Sequence, residues 1–89
     1  MQTRHAIYDL ALWLCGQRQR MTFAQLVAWL NQRGLTTDYG TPYRHPRGAA
    51  SAVRAAYAYA RNDLGLGDAG AAPIAEAFTD ANGNYAWAD

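Results

Sequence analysis

The sequence predicts a small, mainly α domain, with a trihelical, helix-turn-helix-like core and one or two short β-hairpins. Three observations predict it. Apolar residues recur at helical spacing in three separate stretches. A capping box, Thr22 with Gln25, opens the second of them. Clusters of glycine, proline and asparagine divide the stretches, and Asn82-Gly83 between aromatic segments marks a tight reversal. At 89 residues the chain reads as one domain over 1–89, large enough for one modest core. Residues 1–64 read as a basic trihelical core and 65–89 as an acidic C-terminal segment with room for a short helix and a hairpin.

The first helix is expected over 4–19. Ile7, Leu10, Ala11 and Leu14 make one apolar stripe. Thr3 is the expected N-cap, Gly16 weakens the end, and residues 17–20 are polar. The second helix is expected over 23–33. Met21 ahead of the cap and Leu26 at the fourth helical position suit a hydrophobic staple. Phe23, Leu26, Val27 and Leu30 form the buried face, and Gly34 suits a left-handed C-cap. Residues 34–43 read as a tiny hairpin around Gly40-Thr41-Pro42. The third helix is expected over 49–64, with Val53, Tyr57, Ala60 and Leu64 inward. Residues 65–70 then read as a loop. Pro73 suits a first helical turn, Ile74, Ala77 and Phe78 could pack, and 80–84 turns a second hairpin.

Composition narrows the class. An apolar content of 51% with 17% charged residues is globular. No run of about 18 apolar residues predicts a membrane span. The apolar stretch near the N-terminus is interrupted by Asp9 and followed by no A-x-A site, which reads against a secretion signal and for the cytoplasm. The single cysteine, Cys15, lies in a helical pattern and reads as a buried, inert thiol.

Net charge is +1, which hides a split. All eight arginines lie in residues 1–61, against only Asp9 and Asp38, a balance of +6. Residues 62–89 carry Asp63, Asp68, Glu76, Asp80 and Asp89 and no base, a balance of −5. The chain has no lysine. A coding bias accounts for arginine in place of lysine but not for the segregation. A basic head points to an anionic partner, and guanidinium supplies forked contacts to phosphate or carboxylate.

Thr22, Leu26, Leu30, Asn31, Gly34, Thr37, Gly40 and Tyr43 carry a resemblance. The stretch 21–43 resembles a segment of the large serine recombinases, in which an S/T-x-x-x-I/L-A-x-x-L-N-x-x-G helix precedes T-x-x-G-x-x-W/Y. In that family the segment belongs to a DNA-binding region and a further helix follows. The match covers about a quarter of the chain, and no recombinase catalytic domain accompanies it. It therefore implies a DNA-binding module and not recombination. The chain also resembles small proteins carried by phages and conjugative elements.

Chemistry finds little support. His5 and Asp9 share a helix face, a pair expected to be solvated. Cys15, His5 and His45 lack zinc-site spacing. The glycines of 65–70 are followed by no Lys-Ser/Thr, which excludes a P-loop. Asp38 with His45 has no nucleophile beside it. No cofactor or metal is expected, nor an enzyme. The candidate contact surface is instead Tyr39, Tyr43, Arg44, His45 and Arg47, continued by Ser51, Arg54 and Arg61. Arg47, Arg54 and Arg61 are seven apart and return to nearly one azimuth on a helix. The expected function is nucleic-acid binding, most naturally DNA, by an accessory or regulatory protein of a mobile element. The alternative is a protein-binding module, such as an inhibitor of a host or defence protein. It would use aromatic anchors, Trp13, Trp29, Tyr59 and Trp87, with arginine. A homodimer packing exposed aromatics is a third expectation.

Overall fold

The computed structural model describes residues 3–86. Four helices, α1 (Thr3–Gly16), α2 (Phe23–Gln32), α3 (Pro46–Ala58) and α4 (Gly67–Ala77), build the domain, and a π-turn, Tyr59–Asp63, extends α3. Two short strands, β1 (Met21–Thr22) and β2 (Phe78–Thr79), pair in parallel, Met21 with Phe78 and Thr22 with Thr79. The mainly α expectation holds. The short helix expected around Pro73 is present as α4, starting earlier, at Gly67, and the parallel pair is an addition to the expectation.

The expected stripe of α1 is buried, with Ala6 beside it. Thr3 is helical rather than the cap, and its hydroxyl donates to the Thr36 carbonyl (3.2 Å). The helix ends at Gly16, earlier than expected. Gln19 N–H returns to the Leu14 carbonyl and Arg18 N–H to that of Cys15, a Schellman closure with Arg18 left-handed at φ +56°.

The N-terminus of α2 forms as expected. Thr22 Oγ1 accepts from Gln25 N–H (3.1 Å) and Gln25 Oε1 accepts from Thr22 N–H (2.9 Å), so two orphan amides are satisfied reciprocally. Phe23, Leu26 and Leu30 are buried and Val27 partly so. Gly34, at φ +68°, closes the other end through Gly34 N–H to Asn31 O and Leu35 N–H to Leu30 O.

Residues 33–45 then form a loop with no strand, where a hairpin was expected. The Thr37 N–H to Thr41 O bond and the 2.8 Å hydroxyl contact between them replace a ladder. The link is far longer than the three- to four-residue turn of a helix-turn-helix.

Helix α3 begins at Pro46, three residues earlier than expected, because proline's fixed φ and missing N–H suit a first helical position. Its buried face is mostly alanine (Ala49, Ala50, Val53, Ala56), which lets α1, α2 and α4 approach its backbone closely. Leu64 lies beyond the π-turn and is exposed, contrary to the expected stripe. Helix α4 starts within the expected loop, at Gly67, with Asp68 near its positive end. Pro73 consequently stands inside α4 rather than in its first turn. The C-terminal reversal is present: Asp80 N–H bonds the Asn84 carbonyl (2.7 Å), Gly83 adopts φ +86°, and Thr79 bridges Tyr85. Ile7, Leu26, Leu30, Val53, Ile74 and Phe78 are the large side chains fully buried in the common core.

Candidate functional site

The row Arg47, Arg54, Arg61 splits in two. Seven residues of regular α-helix separate Arg47 from Arg54, and both are exposed. The π-turn then widens the backbone spiral before the next interval is complete, so the repeat fails at Arg61. Arg61 Nε reaches Asp68 Oδ1 on α4 at 2.7 Å, and the Tyr57 hydroxyl donates to the same oxygen at 3.0 Å. The Tyr57 hydroxyl and then Arg61 hold the Asp68 carboxyl below its ordinary value, and the bond to Asp68 pushes the Tyr57 phenol up.

Arg54 is also engaged within the molecule. Its Nη1 donates to the Ala86 carbonyl (3.1 Å) and its Nη2 to Ser51 Oγ (3.2 Å). Arg20 lies over the Tyr85 ring, 5.4 Å from its centre. The acidic C-terminal segment thus folds back onto the distal half of the row. The side chains of Arg44, His45 and Arg47 are exposed and have no hydrogen-bond or ion-pair partner among the described residues. They precede and open α3, where His45 is the N-cap position and offers no side-chain cap.

The two tyrosines part company. Tyr43 is buried, only 8% exposed, whereas Tyr39 is 93% exposed at the tip of the loop. Asn31 explains the first. Its Nδ2 donates to the Tyr43 carbonyl (2.8 Å) and its Oδ1 accepts from Tyr43 N–H (3.0 Å), a clamp that draws the ring into the core. Burial, and then Asp38, push the Tyr43 phenol up. Thr37 and Gly40 shape the intervening turn, with Gly40 at φ +77°. Asn31, Gly34, Thr37, Gly40 and Tyr43 therefore each have a structural task. Tyr39, Tyr43 and Ser51 line one open groove of about 660 Å³, together with Arg4, which sequence reasoning left out.

His5 and Asp9 pair at 3.5 Å as expected for a helical i, i+4 contact. The π-turn adds a third member, since the Tyr59 hydroxyl lies 3.0 Å from His5 Nδ1. No sequence spacing links positions 5 and 59. Among the described residues no group of three His, Cys, Asp or Glu side chains could hold a metal ion. Cys15 is half-buried, donates to the Pro73 carbonyl (3.6 Å), and has its thiol pushed up by burial and then by Glu76.

A second surface lies on α1 and α2. Leu10, Trp13, Met21, Trp29 and Leu35 line an open groove of about 840 Å³. Trp13 is 56% exposed, and Arg33 stacks over Trp29 with its guanidinium carbon 4.0 Å from the ring centre. Trp87 lies outside the described residues. No described helix is long and apolar enough to cross a membrane. Comparison of the chain with family models, with curated proteins and with solved structures finds no match.

Proposed function

We propose that this chain is a nucleic-acid-binding protein that presents the N-terminal end of α3 to a phosphate backbone. The observation that carries the reading is the trio Arg44, His45 and Arg47, exposed and free of acidic partners beside a helix N-terminus. Guanidinium charge and the positive end of the helix dipole favour phosphate at the same place. Tyr39 adds an exposed ring on the adjoining loop, a surface on which an unpaired base stacks. The distal arginines take a different part. Arg61 is neutralised by Asp68 and Arg54 is committed to Ala86, so the contact is shorter than the seven-residue spacing implied.

Titration against random-sequence duplex and single-stranded DNA at two salt concentrations tests this. Each phosphate contact contributes about one unit to the dependence of log affinity on log salt. Arg44→Ala with Arg47→Ala is expected to weaken binding on every sequence and to lower that slope by about two units. Arg61→Ala is expected to leave the slope unchanged. Absence of binding at low salt, or a slope that follows Arg61 and ignores Arg44 and Arg47, overturns the reading. A protein-binding module is the second reading, favoured by the open groove around Trp13 and Trp29.

A further inference from the structure

The groove between α1 and α2 holds an apolar floor and two opposite charges. Its floor is Leu10, Trp13, Met21, Trp29 and Leu35, and its charged members are Asp9 on α1 and Arg33 at the end of α2. Arg33 has no ion-pair partner among the described residues, and stacking on Trp29 leaves its charge uncompensated. Asp9 is 61% exposed, with His5 at 3.5 Å as its ion-pair contact. The two charges do not pair with each other.

We propose that a second copy of this chain covers this groove, in a two-fold symmetric dimer. The argument is charge complementarity. Place a two-fold axis in the plane of the groove, midway between Asp9 and Arg33 and perpendicular to the line joining them. Rotation then lays each Asp9 over the Arg33 of the other copy, and each apolar floor over its own image. An isologous interface demands such a self-complementary patch. The members also fit the interior of an interface, where Trp, Met and Arg are enriched. Arg33 is already stacked, so little side-chain freedom is lost when it docks. A groove made for an acidic peptide would gain nothing from Asp9, and one made for a basic peptide nothing from Arg33. Only a partner bearing both signs in this arrangement satisfies both, and the chain itself is such a partner. This dimer forms whether or not the α3 end binds nucleic acid.

Charge exchange tests the proposal. Sedimentation of the wild-type chain from about 1 µM to about 1 mM is expected to show a monomer–dimer equilibrium. Asp9→Arg sets two guanidinium groups against each other at both charge contacts, and Arg33→Asp does the same with two carboxylates. Each variant is therefore expected to dimerise at least about ten-fold more weakly. In an equimolar mixture of the two variants, the mixed dimer sets the two guanidinium groups of one chain against the two carboxylates of the other, so both contacts are opposite in sign and the mixture is expected to recover association. The same pairing is tested within one chain by the double variant, Asp9→Arg with Arg33→Asp. It exchanges the two signs within one chain, restores both contacts, and is expected to recover the dimer. Trp13→Ser, which alters an exposed side chain, is expected to weaken dimerisation while the helical circular dichroism is unchanged. A wild-type chain that stays monomeric throughout overturns the proposal. So does a dimer insensitive to Trp13→Ser, or a folded double variant that recovers nothing.

Discussion

Arg18 holds a left-handed conformation that its side chain disfavours, at φ +56°, because the Schellman closure of α1 places it there. A side chain in that region costs about 1 kcal/mol relative to glycine, partly offset by glycine's greater freedom when unfolded. Arg18→Gly is expected to raise stability by about 0.5 kcal/mol, read by urea denaturation. Gly34 makes the contrast. There the sequence already supplies glycine at the equivalent position, and the end of α2 was legible for that reason. An arginine in the same geometry carries no such mark, so the end of α1 was expected at 19 instead of 16.

At the scale of elements, α2 is the best specified, since its cap, stripe and C-terminal glycine agree. Thr22→Ala removes one capping hydrogen bond and is expected to cost about 1 kcal/mol. Leu26→Ala and Leu30→Ala open cavities in the fully buried core and are expected to cost about 2–5 kcal/mol each. Chemical denaturation of the three checks that order. Helix α4 was harder to read. Its buried stripe of Ala71, Ile74 and Ala77 is short, and its glycines and Pro73 are local signals against helix that packing on α1 overrides. The arginine row failed for a different reason. Its spacing was sound for a regular helix, and nothing at 59–63 announces a π-turn. The exposed trio 44, 45 and 47 was legible, whereas Arg4 meets the 36–43 loop, and Asp9 shares a groove with Arg33, only through the packing of α1 against later segments, which the fold alone assembles.

Across the whole molecule, the basic and acidic parts close on each other through Arg61 and Asp68. The Asp68 carboxyl is held below its ordinary value first by the Tyr57 hydroxyl and then by Arg61. A carboxyl lowered by folding contributes its full stabilisation above its unfolded pKa, 3.8 here, and loses it as pH falls through the lower folded value. Asp68→Asn is therefore expected to lower the melting temperature at neutral pH. The gap to the wild type should close as the pH is taken below 3.8. Thermal melts followed by circular dichroism from neutral to strongly acidic pH check this, and a gap that widened in acid would contradict the assignment.

The parallel pairing of Met21 with Phe78 and Thr22 with Thr79 sets the order in which this chain can be completed. The paired residues are separated by most of the sequence, and closing so long a loop costs on the order of 3–4 kcal/mol in chain entropy before any contact repays it. Local helices form on microsecond timescales, but the inner face of α1 waits for α4, the last helix in the described chain. A nascent chain emerging N-terminus first can therefore cover the inner face of α1 with α3, but only in part until α4 has also been made. The parallel pair and the α4-covered part of the core are thus completed last, and truncation ahead of β2 is expected to leave the inner face of α1 partly uncovered.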